Sequence, residues 1–153
     1  MPTLEWRCVN TPNDAVSDTI DFVSRGVVCH TEFVFGNQSY GARSDGGVKY
    51  RPLDVYPVDY RFTANATDEQ YAAFMTFLNA QNGKPYNFKG ILGVLTDSDW
   101  TDQKAWYCSQ LWAAAMQAGN VIGQLPKAIT NFTPEDALLV SAAKFTGGLL
   151  ASA

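Results

Sequence analysis

The sequence predicts one α+β domain. Runs of β-branched and aromatic residues, separated by glycine-containing turns, predict strands between residues 3 and 63. Helix start signals follow at Thr67 and Thr133. The 153 residues contain no internal repeat and no linker, so a single domain over residues 1–153 is expected.

The first half of the chain carries five strand signals. Residues 3–9 alternate loosely and predict an edge strand, and residues 27–35 predict a second strand that ends at the turn Gly36-Asn37. The remaining strands are expected at 38–42, 48–53 and 59–63. Between the first two strands, Asn13-Asp14 predicts the cap of a short helix over residues 13–25.

The next helix begins with a capping box formed by Thr67 and Gln70. Its apolar stripe has the helical period and is interpreted as core packing rather than as a ligand site. The helix should end at Asn82-Gly83. The stripe consists of Tyr71, Phe74, Met75 and Leu78.

Glycine and aspartate in residues 84–104 favour a loop after this helix. A helix is then expected from Cys108 through residue 118, where Gly119-Asn120 forms a natural end. The last helix should start at Thr133-Pro134, because threonine caps a helix and proline suits its first position. The tail, about residues 147–153, is expected to be frayed.

Composition and charge exclude several classes of function. The net charge is −4 and the basic residues are scattered, so nucleic-acid binding is not expected. One histidine and three dispersed cysteines do not form a zinc site, and nothing implies a cofactor. The sequence contains no apolar run of the roughly 20 residues that a transmembrane helix requires.

The cysteine count and the first residues predict a reducing compartment. Three cysteines cannot all pair within one chain, and residues 1–7 lack the features of a secretory signal. The protein is therefore expected to be cytoplasmic as synthesised, or to be delivered by a phage or a secretion system. A structural disulfide is not expected.

Cys108 is the candidate nucleophile because it stands immediately before a predicted helical run. The amides and the dipole at a helix N-terminus favour a thiolate and supply donors for an oxyanion. The alternative is a small buried residue in an aromatic core, which is common for free cysteine. Cys8 and Cys29 are interpreted as structural, since neither has a helix terminus nearby.

His30 is the only histidine, so any cysteine–histidine catalysis must use it. Strand alternation places Glu32 on the same face as His30, about two residue rises (roughly 7 Å) along the strand. A carboxylate there could orient the imidazole or hold it protonated. Taken singly, His30 and Glu32 would be interpreted as a structural strand histidine and a solvated glutamate.

These residues lie in two segments that resemble one family, the circularly permuted NlpC-type papain-like hydrolases. This branch includes YiiX-like proteins and lecithin:retinol acyltransferase relatives. Residues 29–36 (CHTEFVFG), 41–43 (GAR) and 46–48 (GGV) resemble its histidine half. Residues 83–93 (GKPYNFKGILG) and 106–112 (WYCSQLW) resemble its cysteine half. The likeness covers about residues 14 to 119, and the histidine half comes first, as in the permuted branch.

The resemblance implies a permuted papain-like fold, in which a small antiparallel β-sheet or half-barrel packs against helices. It implies Cys108 as nucleophile at a helix N-terminus and His30 as general base. It also implies a polar residue that orients the imidazole, often on the strand after the histidine. Gly41 and Ala42 occupy the nearest matching positions and cannot do this, so Glu32 is the best substitute. The weaker candidates are Tyr40, Arg43 and Asp45.

The resemblance further implies that Tyr86 lies near the nucleophile and contributes to substrate binding, although a packing role is an equal alternative. Tyr107, next to Cys108, is a second candidate for substrate binding.

The function expected is a thiol hydrolase, an amidase or peptidase, that forms a Cys108 acyl-enzyme on peptidoglycan peptides or another amide. Three alternatives remain at this point. One is an acyltransferase or thioesterase that uses lipid-type acyl substrates. Another is a non-catalytic, phage-associated binding module that keeps the fold. The third is a plain α+β structural protein whose resemblance to the family is accidental.

Overall fold

The computed structural model describes residues 1–11, 26–96, 104–125 and 128–150. Within these ranges, six strands form one antiparallel sheet and four α-helices accompany it. The strands are β1 Thr3–Asn10, β2 His30–Phe35, β3 Gln38–Arg43, β4 Gly47–Pro52, β5 Val58–Asn65 and β6 Thr146–Leu149. The helices are α1 Asp68–Gln81, α2 Phe88–Thr96, α3 Cys108–Ala118 and α4 Pro134–Lys144, with a 3₁₀ turn at Ile129–Asn131. The α+β class expected from the sequence is confirmed.

Strand β1 lies inside the sheet, whose order is β4-β3-β2-β1-β5-β6. It pairs with β2 on one side and with β5 on the other, along its whole length from Thr3↔Asn65 to Asn10↔Val58. The prediction that residues 3–9 form an edge strand was therefore wrong. The alternation within one strand reports which face is buried, but it does not report how many neighbours the strand has.

The two faces of the sheet differ in chemistry. One face is apolar and packs on the helices: the Trp6 ring lies 5.9 Å from Trp112 of α3, and the Phe33 ring lies 4.9 Å from Phe74 of α1. The opposite face carries buried charges, among them Arg7 and Glu32, which are 0% and 1% exposed. Charges are seldom buried without partners, so this face needs a polar network.

Two elements lie where the sequence predicted a loop and a frayed tail. Helix α2 lies within the segment 84–104 that was predicted to be a loop. At the start of this helix, the Asn87 side chain accepts a hydrogen bond from the Gly90 amide at 2.8 Å. Strand β6 occupies part of the predicted tail and pairs with β5 from Thr63↔Thr146 to Tyr60↔Leu149. The predictions were wrong for residues 88–96 and 147–149, because glycines in α2 and β6 weaken the local signal, whereas side-chain capping and tertiary pairing stabilise the elements. Residues 97–103 and 151–153 lie outside the described residues.

The other helix signals are confirmed. Thr67 and Gln70 form the predicted capping box of α1, and Thr133 caps α4. Helix α3 begins at Cys108, as expected. The helix expected over residues 13–25 lies outside the described residues. Within the described ranges, no helix is long and apolar enough to cross a membrane.

Candidate active site

Cys108 is the first residue of α3, and two elements hold this helix start in place. Tyr107 is the N-cap residue in extended conformation, and its carbonyl accepts the Leu111 amide at 3.0 Å. Just before it, Trp106 forms a parallel bridge with Tyr86, so the two segments of the chain meet in front of the helix. The side chain of Tyr107 makes no capping bond to the first-turn amides of α3. The first-turn amides next to Cys108 are therefore not capped by a side chain.

His30, the first residue of β2, lies between Cys108 and Glu32. Its Nε2 is 2.9 Å from Glu32 Oε2. The Cys108 sulfur lies 3.9 Å from the Cys29 carbonyl oxygen, and it is near enough to His30 to help raise the pKa of the imidazole. Strand alternation predicted that His30 and Glu32 share a face, and the observed contact agrees with this prediction. The structure thus brings together the three residues proposed from the sequence.

Burial alone would raise the pKa of the Cys108 thiol, but its neighbours lower that pKa below the ordinary value of 9.0. The hydrogen bond and the charge of His30 contribute most, followed by backbone hydrogen bonds from Thr31 and Ser109. For His30, burial would lower the pKa, yet the Glu32 charge and the bonds to Cys108 and Glu32 raise it to about 9. Both shifts favour a thiolate paired with an imidazolium.

Glu32 remains ionised although it is buried. Burial alone would raise the pKa of this carboxyl, but the charge and hydrogen bond of His30, with those of Arg7, lower it to about 2. Arg7 Nη2 lies 2.6 Å and Nε 2.9 Å from Glu32 Oε1. The sequence prediction missed Arg7. The signal that could have found it is an arginine in the middle of a strand, directly between the apolar residues Trp6 and Cys8.

Gly41 lies beside Glu32 on the neighbouring strand. A Cβ at Gly41 would come within 3.0 Å of Glu32 Cβ, closer than ordinary van der Waals contact. The absence of a side chain at position 41 thus leaves space for Glu32. Ala42 is fully buried, and the Tyr40 hydroxyl donates to the Leu78 carbonyl at 2.7 Å. Glu32 is the carboxylate that contacts His30.

The two candidate substrate-binding tyrosines are both buried. Tyr86 is 8% exposed and its ring packs edge-on against Phe88 at 4.9 Å. Tyr107 is 2% exposed, and its hydroxyl donates to the carbonyl oxygens of Ile129 and Thr130 at 3.3 and 2.7 Å. These contacts tie the start of α3 to the 3₁₀ turn. Substrate binding by Tyr86 and Tyr107 stays a prediction.

Cys8 and Cys29 are buried free thiols, like Cys108. Burial raises the pKa of Cys8 to about 12, although a hydrogen bond from Thr31 works against this rise. The sulfur of Cys29 lies 3.2 Å from the hydroxyl oxygen of Thr11. Neither thiol lies at the start of a helix, in agreement with the structural role predicted for both.

Among the described residues, no group of three or more histidine, cysteine, aspartate or glutamate side chains could hold a metal ion. No model of a known protein family matches the chain, and no curated protein matches it significantly. The chemistry of Cys108, His30 and Glu32 is therefore what the molecule offers for assigning a function.

Proposed function

We propose that this protein is a thiol-dependent hydrolase, an amidase or peptidase, with Cys108 as nucleophile and His30 as acid and base. The observation that carries the proposal is the grouping of Cys108, His30 and Glu32 at the first residue of a helix, with His30 Nε2 at 2.9 Å from Glu32 Oε2. Covalent catalysis requires a nucleophile, a base beside it and a third group that orients the base. The lowered pKa of the Cys108 thiol supports the same conclusion.

A permuted papain-like fold is part of this proposal. Two facts support it: the strand that carries His30 comes before the helix that begins at Cys108, and an antiparallel sheet packs against that helix. The resemblance seen in residues 29–48 and 83–112 includes both functional segments. Its one departure, Gly41 in place of a polar residue, is compensated by Glu32 two residues after His30.

In the first half of the reaction, the Cys108 thiolate attacks the carbonyl carbon of an amide. A carbon–sulfur bond forms, and the oxyanion is stabilised by the first-turn amides of α3, which receive no side-chain cap. The His30 imidazolium then gives its proton to the leaving nitrogen, and the carbon–nitrogen bond breaks. The products of this half are a free amine and a thioester on Cys108.

In the second half, neutral His30 takes a proton from water while the oxygen of that water attacks the thioester. The carbon–sulfur bond breaks, Cys108 leaves as a thiolate, and the carboxylic acid is released. His30 is again an imidazolium beside ionised Glu32, as at the start. An amine or alcohol acceptor in place of water would make the same site an acyltransferase.

One observation favours a second candidate, a binding module that keeps the fold without catalysis. Cys108 is only 2% exposed and His30 only 7% exposed, so a substrate carbonyl needs an opening to reach the sulfur. Peptide amides, including those of peptidoglycan, and lipid-type acyl esters remain the two substrate classes to compare. Reactivity of Cys108 in the folded protein distinguishes a working site from an inert one.

The first experiment is alkylation by iodoacetamide at about pH 6, where an ordinary thiol is almost fully protonated. Wild type and His30→Ala are labelled over time, and each cysteine is quantified by mass spectrometry. We expect fast, selective labelling of Cys108 in wild type, because its thiolate is paired with His30. His30→Ala should slow this labelling about 10-fold or more, since burial then acts without the imidazolium.

Cys8 and Cys29 are the internal controls within the same molecule. If Cys108 reacts no faster than these two, or only after unfolding by urea, the enzyme proposal is wrong and the binding module is preferred. With a reactive Cys108, acylation by a peptide p-nitroanilide or by a fatty p-nitrophenyl ester separates the amidase from the lipid acyltransferase.

A further inference from the structure

We propose that Arg7 is a positioning residue of the Cys108 site and acts on His30 through Glu32. This inference rests on the function proposed above and adds a residue from a different strand to it. Arg7 lies on β1, directly across from Glu32 of β2 in the register of the sheet. It is not placed to touch a substrate, because its side chain is 0% exposed.

The two oxygens of the Glu32 carboxylate have different partners. Oε1 accepts from Arg7 Nε at 2.9 Å and from Nη2 at 2.6 Å, whereas Oε2 faces His30 Nε2 at 2.9 Å. Two donors of a rigid guanidinium on one oxygen fix the plane of the carboxylate. Oε2 is thereby held toward the imidazole and cannot turn toward another cation.

Arg7 is itself anchored on the side away from Glu32. Its Nη1 donates to the Asp54 carbonyl oxygen at 2.7 Å and to Asp59 Oδ2 at 3.2 Å. The Tyr56 ring covers the guanidinium at 4.9 Å from Cζ. Arg7 therefore has several hydrogen-bond partners without competing for Oε2, which a buried cation requires if it is to stay in one geometry.

Other charged groups surround this carboxylate, but their contacts lie elsewhere. Arg43 pairs with Asp45 and Asp54 at 3.4 and 3.6 Å, and Arg51 pairs with Asp45 at 3.1 Å. In the described part of the chain, Arg7 is the guanidinium with a direct contact to Glu32. The charged and titratable groups that face the Glu32–His30 pair are Arg7 of β1, Arg43 of β3, Arg51 of β4, Asp54 and Tyr56 of the β4–β5 connection, Asp59 of β5, and Cys108 of α3.

Loss of Arg7 should raise the pH at which the Cys108 thiol ionises. Without its charge and its two hydrogen bonds, Glu32 is more easily protonated and is no longer held toward His30, so the imidazolium is less stable and the neutral Cys108 thiol is favoured at low pH. A merely structural role would reduce the amount of folded protein but would leave the pH at which the remaining Cys108 ionises unchanged. The pH profile therefore separates the two roles.

The test is the rate of Cys108 alkylation by iodoacetamide as a function of pH in wild type, Arg7→Met and Arg61→Met. Arg61 is the matched control, because it faces Arg7 across β1 and β5 and contacts the same Asp59, but it does not contact Glu32. We expect the pH of half-maximal rate to rise by about one unit in Arg7→Met and to stay at the wild-type value in Arg61→Met. Arg7→Lys should return it part of the way.

If Arg7→Met does not fold, the pair Glu32→Gln and Glu32→Gln/Arg7→Met carries the test, since neither variant leaves Glu32 charged and unpaired. When Arg7 acts through Glu32, the two profiles coincide; a further shift on removing Arg7 overturns the inference. An unchanged profile in Arg7→Met overturns it as well. Failure of the proposed function is recognised separately, because then wild-type Cys108 itself shows no selective labelling.

Discussion

Cys8 and Cys108 are two fully buried thiols on either side of Thr31, yet their acidities move in opposite directions. The Thr31 hydroxyl donates to the Cys8 sulfur at 3.6 Å, and the Thr31 backbone helps to lower the pKa of Cys108. Burial raises the pKa of Cys8 to about 12, whereas the pKa of Cys108 is lowered. Burial is common to both thiols, so it cannot explain the difference.

The difference comes from what each sulfur contacts. Cys8 lies on the apolar, helix-facing side of β1, where only a hydroxyl reaches it. Cys108 lies at a helix start and contacts His30, whose charge is maintained by Glu32 and, through Glu32, by Arg7. Of these two buried thiols, the acidic one is the one that has a cation buried beside it.

The largest effect should come from removing each sulfur in turn. Cys108→Ala should reduce acyl transfer from a p-nitrophenyl ester by about 10⁴-fold or more, because no acyl-enzyme can form. Cys8→Ala should leave the rate within about twofold and cost roughly 1 kcal/mol of stability through the small cavity that it leaves. Release of nitrophenolate measures the first effect, and urea unfolding the second. Equal loss of activity in both variants would contradict the assignment of Cys108.

A second effect concerns Glu32, the carboxylate beside His30 in the Cys108 site, at low pH. Glu32 has a pKa of about 2 in the folded protein against 4.5 as the reference value. Its contribution of about 3 kcal/mol is therefore present above pH 4.5 and is lost as the pH falls from 4.5 toward 2. Urea unfolding of wild type at several pH values should show this loss.

Glu32→Gln should remove this acid-dependent part, whatever its effect at neutral pH. The control is Glu5→Gln, which neutralises a carboxylate of β1 that is 38% exposed. It should keep the wild-type slope of stability against pH. An unchanged slope in Glu32→Gln would mean that Glu32 is not the group that titrates.

The smallest effect should come from filling the space beside Glu32. In Gly41→Ala the new Cβ crowds Glu32 Cβ, so we expect a loss of about 1 kcal/mol and a modest slowing of Cys108 labelling at about pH 6. Gly148→Ala, on another strand and with open space around it, should change neither quantity. Labelling of Cys8 should be unaffected in both. Faster Cys108 labelling in Gly41→Ala would show that the glycine does not protect the Glu32 geometry.

The features predicted correctly are those that depend on residues close together in the sequence. The capping threonines Thr67 and Thr133 satisfy amides within three residues, so their sequence neighbours were sufficient to place the starts of α1 and α4. The contact between His30 and Glu32 also follows from two-residue alternation within one strand. The start of α3 at Cys108 was likewise predicted from residues close to it in the sequence.

Long-range pairing was beyond those signals. Arg7 is 25 residues from Glu32 in sequence, and nothing in residues 3–9 indicates that β5 will cover the other side of β1. An arginine on an exposed edge strand needs no partner, so the edge prediction also hid the role of Arg7. Helix α2 was missed because its cap, Asn87, acts within a segment that contains several glycines.

The order of these residues along the chain has a consequence for protein synthesis. Arg7, His30, Glu32 and Asp59 all leave the ribosome before Cys108, and domains generally fold as units once enough chain is available. The charged residues around the Cys108 site are thus synthesised before Cys108 itself. Until α3 docks on β2, Cys108 has the reactivity of an ordinary thiol, so selective labelling of Cys108 during translation would time the completion of the fold.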